Sequence, residues 1–244
     1  MERYEPATYG DRIATVYDVL YPPGPDAEEA AELLATLAGS GRALELGIGT
    51  GRVALPLVAR GVNVHGIDVS EAMAAELRAK PGGDRIPVTI GDFTRVPAEG
   101  TFELIFVAFN TFFVLMTQDA QVQCFQSVAD HLAPGGAFVI EAFVPDPARF
   151  DRGQRTGTSF LGGDWIILES TVHDAVAQRV RSVHTFISAQ ETRLYPLELR
   201  YAWPPELDLM AQLAGLRLEH RWAGWRREEF TESSPKHVSV YRRP

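Results

Sequence analysis

The stretch Glu45-Leu46-Gly47-Ile48-Gly49-Thr50-Gly51-Arg52 constrains the fold more than any other part of the chain. It follows a short apolar run at 43–46 and precedes a helical pattern over 52–60 that Gly61 stops. Glycine accepts φ > 0 and has no Cβ, so a loop with three of them brings bare backbone close to a ligand. The helix that follows offers free N–H groups to ligand oxygens. A second signal lies twenty-one residues after Gly47, where Val64-His65-Gly66-Ile67-Asp68-Val69-Ser70 ends the next apolar run in an acid. A carboxylate at that place accepts hydrogen bonds from both hydroxyls of a ribose. Loop and acid together predict an adenosine-containing ligand at the carboxyl ends of parallel strands.

The rest of the chain supplies a matching frame. Strands are predicted over 62–67, 87–90, 102–108 and 137–142, and helices lie between them, one of them capped by Ser70 and running to about Lys80. Phe125, Val128, Ala129 and Leu132 fall at helical spacing before Pro134-Gly135-Gly136, read as the stop. Near-continuous apolar strands alternating with helices imply a parallel sheet covered on both faces. Ahead of this frame, residues 9–21 read as a helix carrying Tyr9, Tyr17 and Tyr21, and Asp26 is the expected N-cap of the next one. Residues 150–203 break the rhythm. The segments 165–172, 179–188 and 192–203 are rich in β-branched and aromatic residues and predict an antiparallel insertion. A helix from Pro204 and two closing strands at 216–222 and 237–241 finish the chain. The reading is one α/β domain over 1–244, with 150–203 as an inserted β segment covering the substrate.

Glycine spacing separates two adenosine-binding chemistries. The dinucleotide fingerprint G-x-G-x-x-G needs a third glycine at position 52, which is Arg52. Here the glycines stand at 47, 49 and 51, and the loop resembles the E/D-x-G-x-G-x-G motif of class I S-adenosylmethionine (SAM)-dependent methyltransferases. Asp68, Gly91-Asp92-Phe93, Phe109-Asn110 and Leu132-Ala133-Pro134-Gly135-Gly136 match the same family in order. The resemblance covers residues 40–143 firmly and 200–244 loosely.

It implies a Rossmann-like sheet with an antiparallel closing strand, SAM as cofactor, and methyl transfer to a nitrogen or oxygen of a small metabolite. By the same resemblance, Gly47, Gly49, Gly51, Asp68 and Val69 meet the nucleoside. Asp92 bonds the adenine amino group and Phe93 lines the ring. The backbone at Ala108, Phe109 and Asn110 meets the methionine part. Glu45 supports the loop and the methionine amine, unless it is only an acid paired with Arg52 or Arg42. Tyr17 and Tyr21 resemble the N-terminal helix of bacterial sugar-amine and other small-molecule methyltransferases, where a tyrosine reaches the SAM carboxylate; plain packing is the competing reading for Tyr17.

A hydroxyl acceptor needs a general base, and His is the usual one. His184, mid-strand beside Phe186 on the same face, is the first candidate; His173, next to Asp174 at an expected turn, is the second. The other histidines read as structural, and no metal-ligand spacing occurs. The aromatic residues Phe112, Phe143, Phe160, Trp165, Tyr201 and Trp203 fit a core and a substrate wall equally well.

Bulk properties narrow the partners. A net charge of −9 with a pI near 5.2 disfavours nucleic acid, and the only basic patch, Arg221, Arg226 and Arg227, runs into Glu228 and Glu229. Leu104 to Phe109 is the longest apolar run and no signal peptide is read, so a soluble, cytoplasmic protein is expected. One cysteine, Cys124, excludes an internal disulfide and suits a reducing compartment. A homodimer is left open. Two rival functions remain at this point: a SAM-binding module that has lost catalysis, and a nicotinamide-dependent oxidoreductase, which Arg52 disfavours.

Overall fold

The computed structural model describes residues 4–244. Two helices, α1 (Thr8–Leu20) and α2 (Pro25–Ala38), precede β1 (Arg42–Leu46), α3 (Ala54–Ala59), β2 (Asn63–Asp68), α4 (Glu71–Arg78), β3 (Val88–Ile90) and β4 (Phe102–Val107). Then come α5 (Gln118–His131), β5 (Leu132–Phe143), four strands β6 (Gln154–Leu161), β7 (Trp165–Asp174), β8 (Arg179–Ser188) and β9 (Thr192–Arg200), and finally α6 (Pro204–Leu213), β10 (Arg217–Trp222) and β11 (Lys236–Arg242).

Seven strands form one sheet in the order β10-β11-β5-β4-β1-β2-β3. β1 through β5 are mutually parallel, and β11 runs antiparallel to both β5 and β10. The chain order reverses beside β1, between β2 and β4, which opens a crevice outside their carboxyl ends. One apolar cluster lies under α5 and α6 around Phe112, Phe125 and Phe138; the other lies under α2 and α3 around Leu34, Leu57 and Phe106. β1 and β4 are buried on both faces, as parallel strands between two helical layers must be.

The remaining strands form a separate antiparallel sheet, β6-β7-β8-β9. Opposed residues share a face, so Trp165, Ile167, Glu169, Thr171 and His173 of β7 lie on the same side as Tyr195, Leu197 and Leu199 of β9. That side turns toward the rest of the molecule: Tyr195 packs with Ile13, Ala14 and Met73, joining the sheet to α1 and α4. At the other end Arg200 donates to Gln121, Gln178 and Glu206 at 2.5, 3.0 and 2.8 Å, and Gln121 in turn donates to the Leu115 and Arg200 carbonyls.

Three local expectations differ. Gly24, not Asp26, stands at the N-cap of α2 because Pro25 takes the first helical position; Asp26 instead pairs with Arg52 at 2.7 Å. Pro134-Gly135-Gly136 lies inside β5, which starts at Leu132, so the helix stops one step earlier with a register shift against β4. β6 was not expected, since Gly157 and its exposed Thr and Ser neighbours lack an apolar face.

Candidate active site

A cavity of about 310 Å³ lies at the carboxyl ends of β1, β2 and β4, and its volume falls in the range of small-molecule sites. Gly47, Gly49, Asp68, Val69, Phe93, Phe109, Asn110, Tyr17 and Tyr21 all line it, so most of the expected cofactor residues converge. The turn after β1 is held by Gly47 N and Ile48 N, which both donate to the Ile67 carbonyl at 2.8 and 3.0 Å. Gly47, Gly49 and Gly51 have φ of 71°, 55° and 80°. A Cβ on Gly47 would strike Thr111 Cγ2 at 2.3 Å, whereas one on Gly49 would project into open space. The loop therefore needs its first glycine for packing and presents the second to a ligand.

Asp68 is buried and accepts from Gly49 N at 2.7 Å and Ser70 N at 2.8 Å. Burial raises its pKa, and these amides pull the other way. Glu45 is only 4% exposed, and its Oε2 has no hydrogen-bond partner. Desolvation, and next the neighbouring Asp68 charge, push its carboxyl well above the usual range. Neither of its expected basic partners reaches it: Arg52 bonds Asp26, and Arg42 sits over Phe102. An orphaned buried carboxylate is costly on its own and fits a cationic group brought in from outside.

Arg52 lines the same cavity, its guanidinium 3.9 Å above the Phe109 ring, with a buried Nε that lacks a partner. Phe109 and Asn110 follow β4 with φ of 52° and 65°, a left-handed pair that costs roughly 1–2 kcal/mol each for non-glycine residues. Glu141 holds that turn. Its Oε2 accepts from Phe109 N at 3.0 Å and its carbonyl from Asn110 N, while Lys236 neutralises Oε1 at 2.7 Å. Asn110 Oδ1 accepts from Phe143 N at 2.7 Å. The buried Ala108 precedes the turn and contributes its carbonyl to Thr111 N. Asp92 is exposed and does not line the cavity; its Oδ1 accepts from both the amide and the hydroxyl of Thr94.

α1 closes the opposite wall. Asp18 accepts from Thr50 Oγ1 at 2.7 Å and pairs with Lys80 at 2.5 Å, tying the helix to the glycine loop. Gly10 lets the helix approach, since a Cβ there would lie 2.7 Å from Ser70 Cβ. Tyr17 and Tyr21 stand with ring centres 5.0 Å apart, and burial lifts the Tyr17 phenol to about 12. Tyr9, also on this wall, is raised by burial and then by Tyr21.

A second cavity of about 180 Å³ lies under the antiparallel sheet. Leu197 and Leu199 line both cavities. His173 lines the second one, stacked on Phe150 at 4.4 Å with Nε2 3.0 Å from Tyr201 Oη. His184 borders neither cavity. It lies 3.9 Å from Glu169, and burial lowers its pKa against the smaller opposing effect of that acid. Of the aromatic set, Phe143 and Tyr201 wall the second cavity, Phe112 is core, and Phe160, Trp165 and Trp203 wall neither cavity.

Sequence reasoning missed Tyr9, Arg52 as a cavity residue, Thr111, Leu197, Leu199 and Glu141. The positive-φ turn after β4 was the one local hint, and Asn110 carried it. The basic stretch does not act as a unit: Arg221 is tied to Asp208, Arg226 to Glu29, and Arg227 lies over Trp222. Among the described residues, no cluster suited to a metal ion occurs, and no helix is long and apolar enough to cross a membrane.

Comparison with known proteins agrees with this geometry. A family profile described as a methyltransferase domain matches residues 43–136. The chain is similar to the CcbJ methyltransferase from Streptomyces caelestis, with 43% identity, a TM-score of 0.93, and coverage of 98% of this chain and 99% of that one. It is 28% identical over 203 residues to the cypemycin N-terminal methyltransferase of a Streptomyces species, covering 82% of each. The SAM-bound amino pentose methyltransferase CalS10 from Micromonospora echinaspora shares the fold, with a TM-score of 0.72 at 20% identity over 100% of this chain and 99% of that one. SAM is accordingly the cofactor, and the chain is an enzyme rather than a silent binding module. It belongs to the class I SAM-dependent methyltransferases.

Proposed function

We propose that this enzyme methylates an amine nitrogen of a small molecule, with SAM in the larger cavity and the acceptor entering through the smaller one. The observation that carries the reading is the shared wall: Leu197 and Leu199 line both cavities, which puts a cofactor in one next to an acceptor in the other along an apolar boundary. The four-stranded sheet is then the acceptor-side cover that residues 150–203 were expected to form.

Most of the cofactor contacts follow from groups that line the cavity, while Glu45 and Ala108 are buried beside it and Asp92 lies outside it. Asp68 accepts from the ribose hydroxyls, and Gly49 and Val69 give the nucleoside room. Phe93 lines the adenine, and the Asp92 oxygen not held by Thr94 takes its amino group. Glu45 Oε2 pairs with the methionine ammonium, and Arg52 and the Tyr17–Tyr21 pair receive the carboxylate. Ala108, Phe109 and Asn110 form the floor beneath the methionine part. SAM, when bound, supplies a methyl group on a sulfonium that is electrophilic without further activation. The chain's task is to align a nucleophile at about 3 Å and exclude water, which can supply about 7–11 kcal/mol.

Nitrogen is favoured over oxygen by the state of the histidines. His184 borders neither cavity, and His173 is engaged by Tyr201 and stacked on Phe150. An amine that has shed its proton to solvent needs no such base. The relative acting on the N-terminus of cypemycin supports the same choice. The test is methyl transfer from labelled SAM to a panel of small amines and the matched alcohols. Transfer to amines is expected; transfer confined to alcohols and abolished by His173→Ala would assign oxygen attack with His173 as base.

A further inference from the structure

Three arginines border the acceptor-side cavity and the depression beside it. Arg149 and Arg155 line both this cavity and the shallow depression outside it, which Asp151, Arg152, Gln154 and Thr156 complete. All three arginines are exposed, and none makes a side-chain hydrogen bond or ion pair with another described residue. They stand together beside one cavity of a chain whose net charge is −9, with 32 acids against 23 lysines and arginines. By contrast, Arg52 pairs with Asp26, Arg200 with Glu206 and Arg242 with Glu219. Asp151 shares the depression without pairing to any of the three.

The rim is also held in place. Asp151 N donates to the Gln154 carbonyl and Gln154 N to the Asp151 carbonyl, each at 2.9 Å, and His173 N donates to Gly153 O at 2.7 Å. The turn needs left-handed backbone at Arg152 and Gly153, with φ of 49° and 75°. Phe150, between the first two arginines, is fixed by its stack on His173. Three like charges, Arg149 at the end of the 147–149 turn, Arg152 in the Asp151–Gln154 turn and Arg155 on β6, repel each other where they border one depression, and an anion bound among them removes that cost. Guanidinium groups bind phosphate and carboxylate through paired N–H donors.

We propose that this rim is a binding site for an anionic group, phosphate or carboxylate, carried by the methyl acceptor on the part that extends out of the cavity. The proposal rests on the reading of the smaller cavity as the acceptor site. It makes the acceptor a molecule with an amine at one end and an anionic handle at the other, too long for the inner cavity alone.

The experiment is calorimetric titration of sodium pyrophosphate into protein preloaded with S-adenosylhomocysteine, at matched ionic strength in chloride, followed by the same titration with acetate. Wild type should bind pyrophosphate saturably. The variant Arg149→Gln/Arg152→Gln/Arg155→Gln should bind it at least about tenfold more weakly, a difference of about 1.4 kcal/mol. Arg155→Glu alone should weaken it in the same direction. S-adenosylhomocysteine affinity and melting temperature should match wild type in both variants, because the three side chains are exposed. Acetate binding that is lost in the same variants assigns a carboxylate handle, and binding of pyrophosphate alone assigns a phosphate. Absence of pyrophosphate binding to wild type, or equal binding to the triple variant, overturns the proposal. Failure of S-adenosylhomocysteine to load would instead strike the cofactor assignment on which the site depends.

Discussion

In the seven-stranded sheet, β1 and β4 are buried on both faces, whereas in the four-stranded sheet β6 is exposed along nearly its whole length and only one face of β7–β9 is covered. The first arrangement fixes strand ends to within the tolerance of a packed interior, and the glycine loop, Asp68 and the Phe109–Asn110 turn all sit on such ends. The second meets the rest of the molecule through Tyr195, through Val180 and Leu199 packed against the core around Phe112, and through polar anchors at Arg200 and Arg179. A cofactor common to a whole family is served by the rigid sheet. On the proposed reading, the acceptor is met by the other sheet, whose outer face tolerates change.

This division can be broken most sharply at the rigid end. Gly49→Val places a β-branched side chain in the space that a ligand must fill, at φ 55°. SAM binding should vanish in calorimetry, and the strain of a β-branched residue in left-handed backbone should lower the melting temperature while the unfolding transition stays cooperative. Asp68→Ala removes a charged acceptor worth roughly 1.5–3 kcal/mol per hydrogen bond, so with two ribose hydroxyls SAM affinity should fall by at least about a hundredfold. Wild-type affinity in either variant would separate the loop from the cofactor.

The next largest effect belongs to the anchor of the other sheet. Arg200→Ala strands Glu206 and Gln121, and losing one partner of a buried pair costs about 3–5 kcal/mol. Hydrogen exchange in β9 and α6 should accelerate and turnover should drop, with SAM affinity within about threefold of wild type. A matching collapse of SAM affinity would mean that the two sheets act as one unit.

Glu45→Gln sharpens the account of the orphaned carboxylate. The folded-state pKa of Glu45 lies above its unfolded value, so its stabilising, neutral form prevails at acid pH. That contribution is lost as pH rises through the folded pKa. The variant should therefore melt higher than wild type at pH 7 without ligand, converge with it near pH 4, and bind SAM about tenfold more weakly. Unchanged melting with unchanged binding would show that Glu45 already has a partner. The smallest effect is expected at His184. Its replacement by Ala should lower turnover less than about tenfold, against the 10²–10⁴ typical of a true general base.

Much of the rigid half was legible because its signals are local. Apolar runs, a Ser70 that accepts from Met73 N as a cap, and three glycines at alternate positions all act within a few residues of themselves. The four-stranded sheet was legible only as strand-rich sequence. β6 escaped because its stability comes from pairing with β7 rather than from its own composition. The surroundings of the two histidines were legible only in part. Sequence put His184 inward and His173 at a wet turn; register carries both onto the inner face, and His173 lines the smaller cavity while His184 does not. Leu197, Tyr9 and the tie between Asp18 and Thr50 depend on α1 folding back across the sheet ends, a contact between residues 32 apart that no spacing announces.

The division of labour between the two sheets is tested most directly by hydrogen–deuterium exchange with and without S-adenosylhomocysteine. Protection should concentrate at residues 45–52, 67–70, 92–93 and 108–111 and along α1, and β6, β7 and β8 should exchange as they do in free protein. Protection centred on β6 to β8, with the glycine loop unchanged, would contradict the account.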